Sequence, residues 1–179
     1  MLELLGHGNQ LKRTARTGWV QRGVVNPEDV AAHSFGVVYI VLMLSSEIEE
    51  PVALEKALIM AVLHDLPEGL TTDIPAPAWQ FLPPGIKTAV EHKAMVQILG
   101  DAPQADALLS CWEELHADET AEAHLVHDAD KLDMYLQAAV YEQQTGNRRL
   151  EEFWDNPRVF HYPQAQALYD ELRILRKRE

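Results

Sequence analysis

His64 and Asp65 stand side by side in the apolar stretch ALIMAVLHDLPEG, with His33 upstream in EDVAAHS and Asp130 downstream in VHDADKLD. Imidazole nitrogens and carboxylate oxygens are good ligands for a divalent transition metal. A His-Asp dipeptide alone says little, because buried histidines are often simply hydrogen-bonded core residues. The surroundings add weight. An unpaired carboxylate inside LIMAVLHDL would be costly to bury. His33 follows the apolar Val30-Ala31-Ala32 and precedes an apolar run over 36–44. Two histidines and two aspartates sharing one ion would offset one another's desolvation. The chemistry to expect is that of a metal held in a protein interior, with coordination positions left open for water and substrate.

Neighbouring residues on a helix point about 100° apart. One ion can therefore take both His64 and Asp65 only where their helix faces other ligand-bearing helices. The hydrophobic pattern supplies such helices nearly throughout, with no convincing run of period-two alternation. It predicts a short helix over Met1–Thr14, then an irregular crossing segment from Arg16 to Asn26. Pro27, followed by Glu28 and Asp29, is a start signal for a long helix reaching about Glu49. Leu54–Leu66 reads as a second such helix, ended by Pro67, which disfavours helical backbone in Leu66. The proline-bearing stretch 69–84 reads as an ordered loop. Further helices are expected over about 84–99, 103–117, 121–145 and 163–177. The expectation is one all-α domain over 1–179, a bundle of six or seven helices.

A formal net charge of −13 argues against a duplex nucleic-acid partner, whose affinity rests on neutralised phosphates. A small phosphate substrate is still compatible, because a metal and a few local cations can set the field of one cleft. Basic residues cluster early, at Lys12, Arg13, Arg16 and Arg22, and late, at Arg173, Arg176, Lys177 and Arg178. The late run suits a helix C-terminus and solvent; the early one borders the His/Asp motifs. The apolar run over 36–44 is too short to span a bilayer, and no basic-apolar leader opens the chain. The single cysteine, Cys111, excludes an internal disulfide framework and suits a reducing cytoplasm. It sits beside Trp112 in LLSCW, as a small buried apolar residue would.

Five stretches, LKRTARTGWVQRGV, NPEDVAAHSF, LHDLPEGLTTDIPAP, CWEEL and HDADKLDMYLQA, run from Leu11 to about Ala138. Their order and surroundings resemble the HD-domain metal-dependent phosphohydrolases. Within them they resemble the 5'-deoxynucleotidase branch, the YfbR-like and HD-domain-containing-protein-2-like enzymes. The resemblance implies the HD helical fold and hydrolysis of deoxynucleoside 5'-monophosphates. It implies His33, His64, Asp65 and Asp130 as ligands of one divalent ion per chain, Co2+ or Mn2+ first, with Mg2+, Zn2+, Fe2+ or Ni2+ as further options. It gives Glu68 and Asp73 the catalytic roles of positioning water or exchanging a proton with the leaving oxygen. Arg16 becomes a phosphate clamp, Trp19 an apolar wall for the sugar or base, and Lys131 a further phosphate neutraliser. Glu114 is a carboxylate near the site, and a homodimer is implied. In the YfbR-like pattern the arginine directly precedes the tryptophan; here Gly18 does, as in the other branch.

Residue spacing leaves three points open. Asp130 and Asp133 share a helical face, with Asp128 close by, and the family motif alone selects Asp130. Glu113 fits the register of WEEL as well as Glu114 does. His92 and His116 lie between the His-Asp pair and the last aspartate, where a dinuclear phosphodiesterase or iron oxygenase would need extra ligands. Two surface histidines on polar helices are the simpler reading. A non-catalytic nucleotide-binding scaffold is the third class, and intact ligands with Glu68 and Asp73 speak against it.

Overall fold

A computed structural model of the chain describes residues 1–177; Arg178, which closes the late basic run, lies outside the described residues. Helix α1 (Leu2–Gln10) continues into a 3-10 turn over Leu11–Arg13, and α2 spans Thr17–Gln21. Then come α3 (Val30–Leu44), α4 (Leu54–Leu63), α5 (Glu68–Thr71), α6 (Ala76–Trp79), α7 (Ile86–Leu99) and α8 (Ala105–Ala117). Helix α9 (Ala121–Thr145), a 3-10 segment over Arg148–Trp154 and α10 (Pro163–Arg176) complete the order. Among the described residues, α1, α3, α4, α7, α8, α9 and α10 are nine residues or longer. These are the helices the hydrophobic pattern predicts. The excess over six or seven comes from α2, α5 and α6, of four or five residues each. The only β pairing among the described residues is an isolated antiparallel bridge between Ala15 and Asp29.

Two boundaries differ from the sequence expectation. Pro27 does not open α3. The Arg16 N–H donates to the Glu28 carbonyl at 3.1 Å and the Ala15–Asp29 bridge holds the strand-like approach extended. The helix starts where Asp29 caps it, its carboxylate accepting the Ala32 N–H at 2.8 Å, an interaction proline cannot supply. Helix α4 ends at Leu63, and His64–Pro67 form a turn closed by the Leu66 N–H on the Leu63 carbonyl. The stretch 69–84, expected as loop, contains most of α5 and all of α6.

The core is built around α9, the longest helix. Leu125, Ala129, Leu132, Tyr135 and Ala138 run along one buried face, against Val37 and Val41 of α3, Ala57 and Met60 of α4, and Tyr169 of α10. On α3 the buried stripe is Val30, His33, Val37, Val41 and Leu44. His33 therefore occupies a core position. The opposite face of α3 leaves Phe35 and Tyr39 exposed at 72% and 55%. Apolar residues on both faces are why the sequence shows a continuous run there rather than an amphipathic stripe. No helix of the described residues is long and apolar enough to cross a membrane.

The Asp29 cap fixes where α3 begins and hence the height of His33. Replacing Asp29 with Ala should cost about 1 kcal/mol, read as a lower urea midpoint with an unchanged slope. An unaltered midpoint would assign the helix start to the Ala15–Asp29 backbone bridge instead.

Candidate metal centre

His33 comes from the first turn of α3, His64 and Asp65 from the turn after α4, and Asp130 from the middle of α9. The packing of α3 and α4 against α9 brings all four together. His33 Nε2 lies 3.4 Å from His64 Nε2, 3.2 Å from Asp130 Oδ1 and 3.6 Å from Asp65 Oδ2. His64 Nε2 is 3.2 Å from Asp65 Oδ2. Ligands about 2.1 Å from a common ion are about 3.0–3.4 Å apart at octahedral or tetrahedral angles. The cluster is therefore at, or just outside, ligand spacing.

The tautomers decide what belongs at the centre. His64 Nδ1 is 2.7 Å from the Ala61 carbonyl, which can only accept, so Nδ1 carries the proton. His33 Nδ1 is 2.7 Å from Asp133 Oδ2, which fixes that ring the same way. The two Nε2 atoms then meet across 3.4 Å, an arrangement that calls for positive charge, either a proton on His33 or a metal ion shared by both rings. Burial and the Arg16 charge oppose protonation of His33. The hydrogen bonds to Asp130 and Asp133 outweigh them and push it up to about 9. Both carboxylates stay ionised against burial: Asp65 is held low by His64 and Arg16, Asp130 by Lys131 and His33. Donor set, spacing and tautomers all fit a divalent transition ion.

Asp130 and Asp133, inseparable by spacing, divide the two nitrogens of one ring. Asp130 faces Nε2 on the cluster side and Asp133 orients Nδ1 from behind. Asp133 reaches that position over Gly36, where a Cβ would sit 1.9 Å from its Oδ1. An isolated glycine inside an apolar helix run, one turn past His33, was the available signal for this close approach. Asp128 is neither metal-facing nor solvated. It is 2% exposed and accepts the backbone N–H groups of His161 and Tyr162 at 3.0 and 2.8 Å, fixing the lead-in to α10.

Around the cluster, Arg16 Nη1 is 3.1 Å from Asp65 Oδ2. Burial works against its charge, and Asp65, Asp130 and Asp73 more than restore it. Asp73 Oδ2 accepts the Thr17 N–H at 2.7 Å and its carbonyl accepts the Thr17 hydroxyl at 3.0 Å. It thereby caps α2 and positions Arg16. Glu68 opens α5 with its side chain 5% exposed and Oε2 buried without a partner among the described residues. Burial first, then the charges of Asp65 and Asp73, push its carboxyl up to about 9. Lys131 Nζ lies 2.7 Å from Asp130 Oδ2.

Two expected positions, Trp19 and Glu114, fall elsewhere. Trp19 is no exposed wall. It is 2% exposed, packed on Tyr141 and Phe153, with its indole N–H donated to Glu28 at 2.9 Å. An RTGW pattern cannot distinguish an indole facing the cleft from one anchoring α2 in the core. Glu114 pairs with Lys56 at the far end of α4 from His64, and Glu113 with His92 at 2.8 Å. His116 stacks on Trp112 and bonds its carbonyl at 2.9 Å. Both histidines considered for a second ion beside the first are thus engaged away from it.

The Gly36 contact gives a direct test of ligand support. Gly36→Ala should push Asp133 off His33 and weaken metal binding about 10–100-fold, and Asp133→Asn should do the same without adding bulk. Competition against a chelator of known affinity measures both. Wild-type affinity in Asp133→Asn would mean that the Nδ1 contact does not support the ligand.

A family model described as HD domain matches residues 8–165. The zebrafish (Danio rerio) protein named 5'-deoxynucleotidase HDDC2 is 35% identical, over 99% of this chain and 88% of that one. The human protein of that name is 33% identical, over 98% and 86%. A solved structure described as a conserved hypothetical protein from Pyrococcus furiosus superposes with a TM-score of 0.84 at 35% identity, covering 97% of this chain and 99% of that one. With nearly the whole chain matched by the model and by relatives above 30% identity, the chain belongs to the HD domain family.

Proposed function

We propose that the protein is a metal-dependent 5'-deoxynucleotidase of one domain, releasing phosphate from deoxynucleoside 5'-monophosphates. The observation that carries this reading is the cluster of His33, His64, Asp65 and Asp130, with the Arg16 guanidinium on Asp65 and the buried Glu68 carboxyl pushed up by burial and by the charges of Asp65 and Asp73. The relatives named 5'-deoxynucleotidase supply the substrate class. A divalent ion held by those four residues, Co2+ or Mn2+ first, would offset phosphate charge and acidify a water.

The chain's own groups do the rest. Arg16 can turn its guanidinium from Asp65 to phosphate oxygens, a fork-shaped match. Water attacks phosphorus, the bond from phosphorus to the 5' oxygen breaks, and that oxygen must take a proton. Burial and the charges of Asp65 and Asp73 favour the protonated form of Glu68, whose Oε2 has no partner among the described residues, and a divalent ion at the centre would ease that proton's release. Deprotonated Glu68 then recovers a proton from the water that has been consumed. Asp73 acts by holding α2, and with it Arg16, in place. Lys131 balances Asp130 or contacts phosphate. Trp19 serves by anchoring α2 in the core. The lone thiol of Cys111, unpaired here, suits a cytoplasmic setting.

The test is phosphate release from deoxy- and ribonucleoside monophosphates with each divalent metal. Wild type should prefer the deoxy series, and chelation should abolish turnover reversibly. Glu68→Gln should keep metal affinity and lose about 10²–10⁴ in turnover. Turnover within about threefold of wild type, under 1 kcal/mol of barrier, would remove Glu68 from the chemistry. A wild type favouring ribonucleotides would overturn the substrate class.

We also propose a homodimer through the outer face of α3. Phe35, Tyr39, Leu42 and Met43 form an exposed apolar stripe there, and α3 carries no Asp, Glu, Lys or Arg between Val30 and Leu44. Two chains of net charge −13 can approach with least repulsion on such a face. Tyr39→Glu should convert the dimer to monomer in sedimentation. A wild type already monomeric at high concentration would exclude the interface.

A further inference from the structure

A second group of metal-binding side chains lies where the α8–α9 corner meets the segment before α10. Asp118 closes α8 in the left-handed conformation. His124 and His127 come from the first two turns of α9 and His161 from the lead-in to α10. All three imidazoles turn Nε2 toward the one carboxylate. His161 Nε2 lies 3.7 Å from Asp118 Oδ2, His127 Nε2 3.6 Å from Oδ1 and His124 Nε2 3.9 Å from Oδ1. The ligand atoms of Asp118, His124 and His161 all fall within 4.8 Å of one another.

His161 is the best prepared of the three. Its Nδ1 is 3.0 Å from Asp128 Oδ1, and Asp128 is buried and fixed by two backbone N–H groups. A carboxylate accepting from Nδ1 leaves Nε2 as a lone pair aimed outward, the support that metal-binding histidines ordinarily have. His127 is committed elsewhere, its Nε2 donating to the Leu115 carbonyl at 3.0 Å. His124 Nε2 donates to the Asp118 carbonyl at 3.1 Å, and its ring stacks parallel on His161 with centroids 4.3 Å apart. To ligate, His124 must shift its proton to Nδ1 and turn about its side-chain bonds, which its half-exposed position permits.

We propose that Asp118, His124 and His161 bind a borderline divalent transition ion, of which Zn2+ is the probe of choice, at a site separate from the His33 cluster. Two imidazoles and one carboxylate select Zn2+, Cu2+ or Ni2+ over Ca2+ and Mg2+, and water completes the shell. Contraction from separations of up to 4.8 Å to about 3.0–3.4 Å is within the reach of side chains on a surface. The ion ties the α8–α9 corner to the chain entering α10. It lies about 9 Å along α9 from Asp130, at 1.5 Å per residue. The inference is independent of the nucleotidase reading.

The experiment is zinc stoichiometry at equilibrium, by calorimetric titration and elemental analysis of the full chain. Wild type should bind two ions. His124→Gln with His161→Gln should bind one, keep phosphate release with its preferred metal, and lose the extra thermal stabilisation that excess Zn2+ gives wild type. His64→Ala should keep the second site, with an affinity within about threefold of wild type. Asp118→Asn, tolerated in left-handed backbone, repeats the test if the double variant does not fold, and should weaken the second ion about tenfold or more. One ion in wild type, or two in Asp118→Asn with unchanged affinities, would overturn the proposal.

Discussion

The contact between α3 and α9 at Gly36 is the constraint on which the rest depends. His33 is a core residue by position, on the same stripe as Val37 and Val41, yet both its nitrogens must find polar partners. Asp133 supplies one partner from behind and the cluster supplies the other. Asp133 can do so only because residue 36 has no side chain, so a glycine that costs helix stability admits the carboxylate. Loss of either partner would leave a buried charge or a buried lone pair unsatisfied, at a cost of several kcal/mol. The packing of two long helices and the orientation of one imidazole are thus the same interaction.

Much of this was legible in the sequence, for reasons that residues make plain. His64-Asp65 in an apolar run signalled a buried polar pair, and Pro67 signalled the turn that presents it. The lengths of α7, α8, α9 and α10 followed from period and caps: Thr120 and Gly146 bound α9 where the pattern placed it. What failed were matters of direction. Asp130 and Asp133 share a face, and only the third dimension assigns them to opposite edges of an imidazole. Trp19 has the same neighbours in sequence whether it lines a cleft or anchors α2. Glu114 sits two residues from a buried tryptophan and yet pairs outward, toward Lys56. Pro27 lost α3's start to Asp29 because a backbone bridge from Ala15, distant in sequence, held Glu28 and Asp29 out of the helix.

Charge also sets what the centre can receive. Asp65, Asp130 and Asp73 face the cations Arg16 and Lys131, with Lys87 also acting on Asp65, in a chain of net charge −13. A phosphate dianion entering that cleft alone would meet carboxylates facing it across a partly buried, low-dielectric space, where repulsion is weakly screened. A divalent ion at the centre would reverse the balance. Glu68 fits the same logic. Burial and the neighbouring Asp65 and Asp73 push its carboxyl up, which favours the form that adds no negative charge to the cleft. A divalent ion on Asp65 would relieve part of the upward push on Glu68 and make its proton easier to give, so filling the centre and readying that carboxyl would be coupled through the same charges.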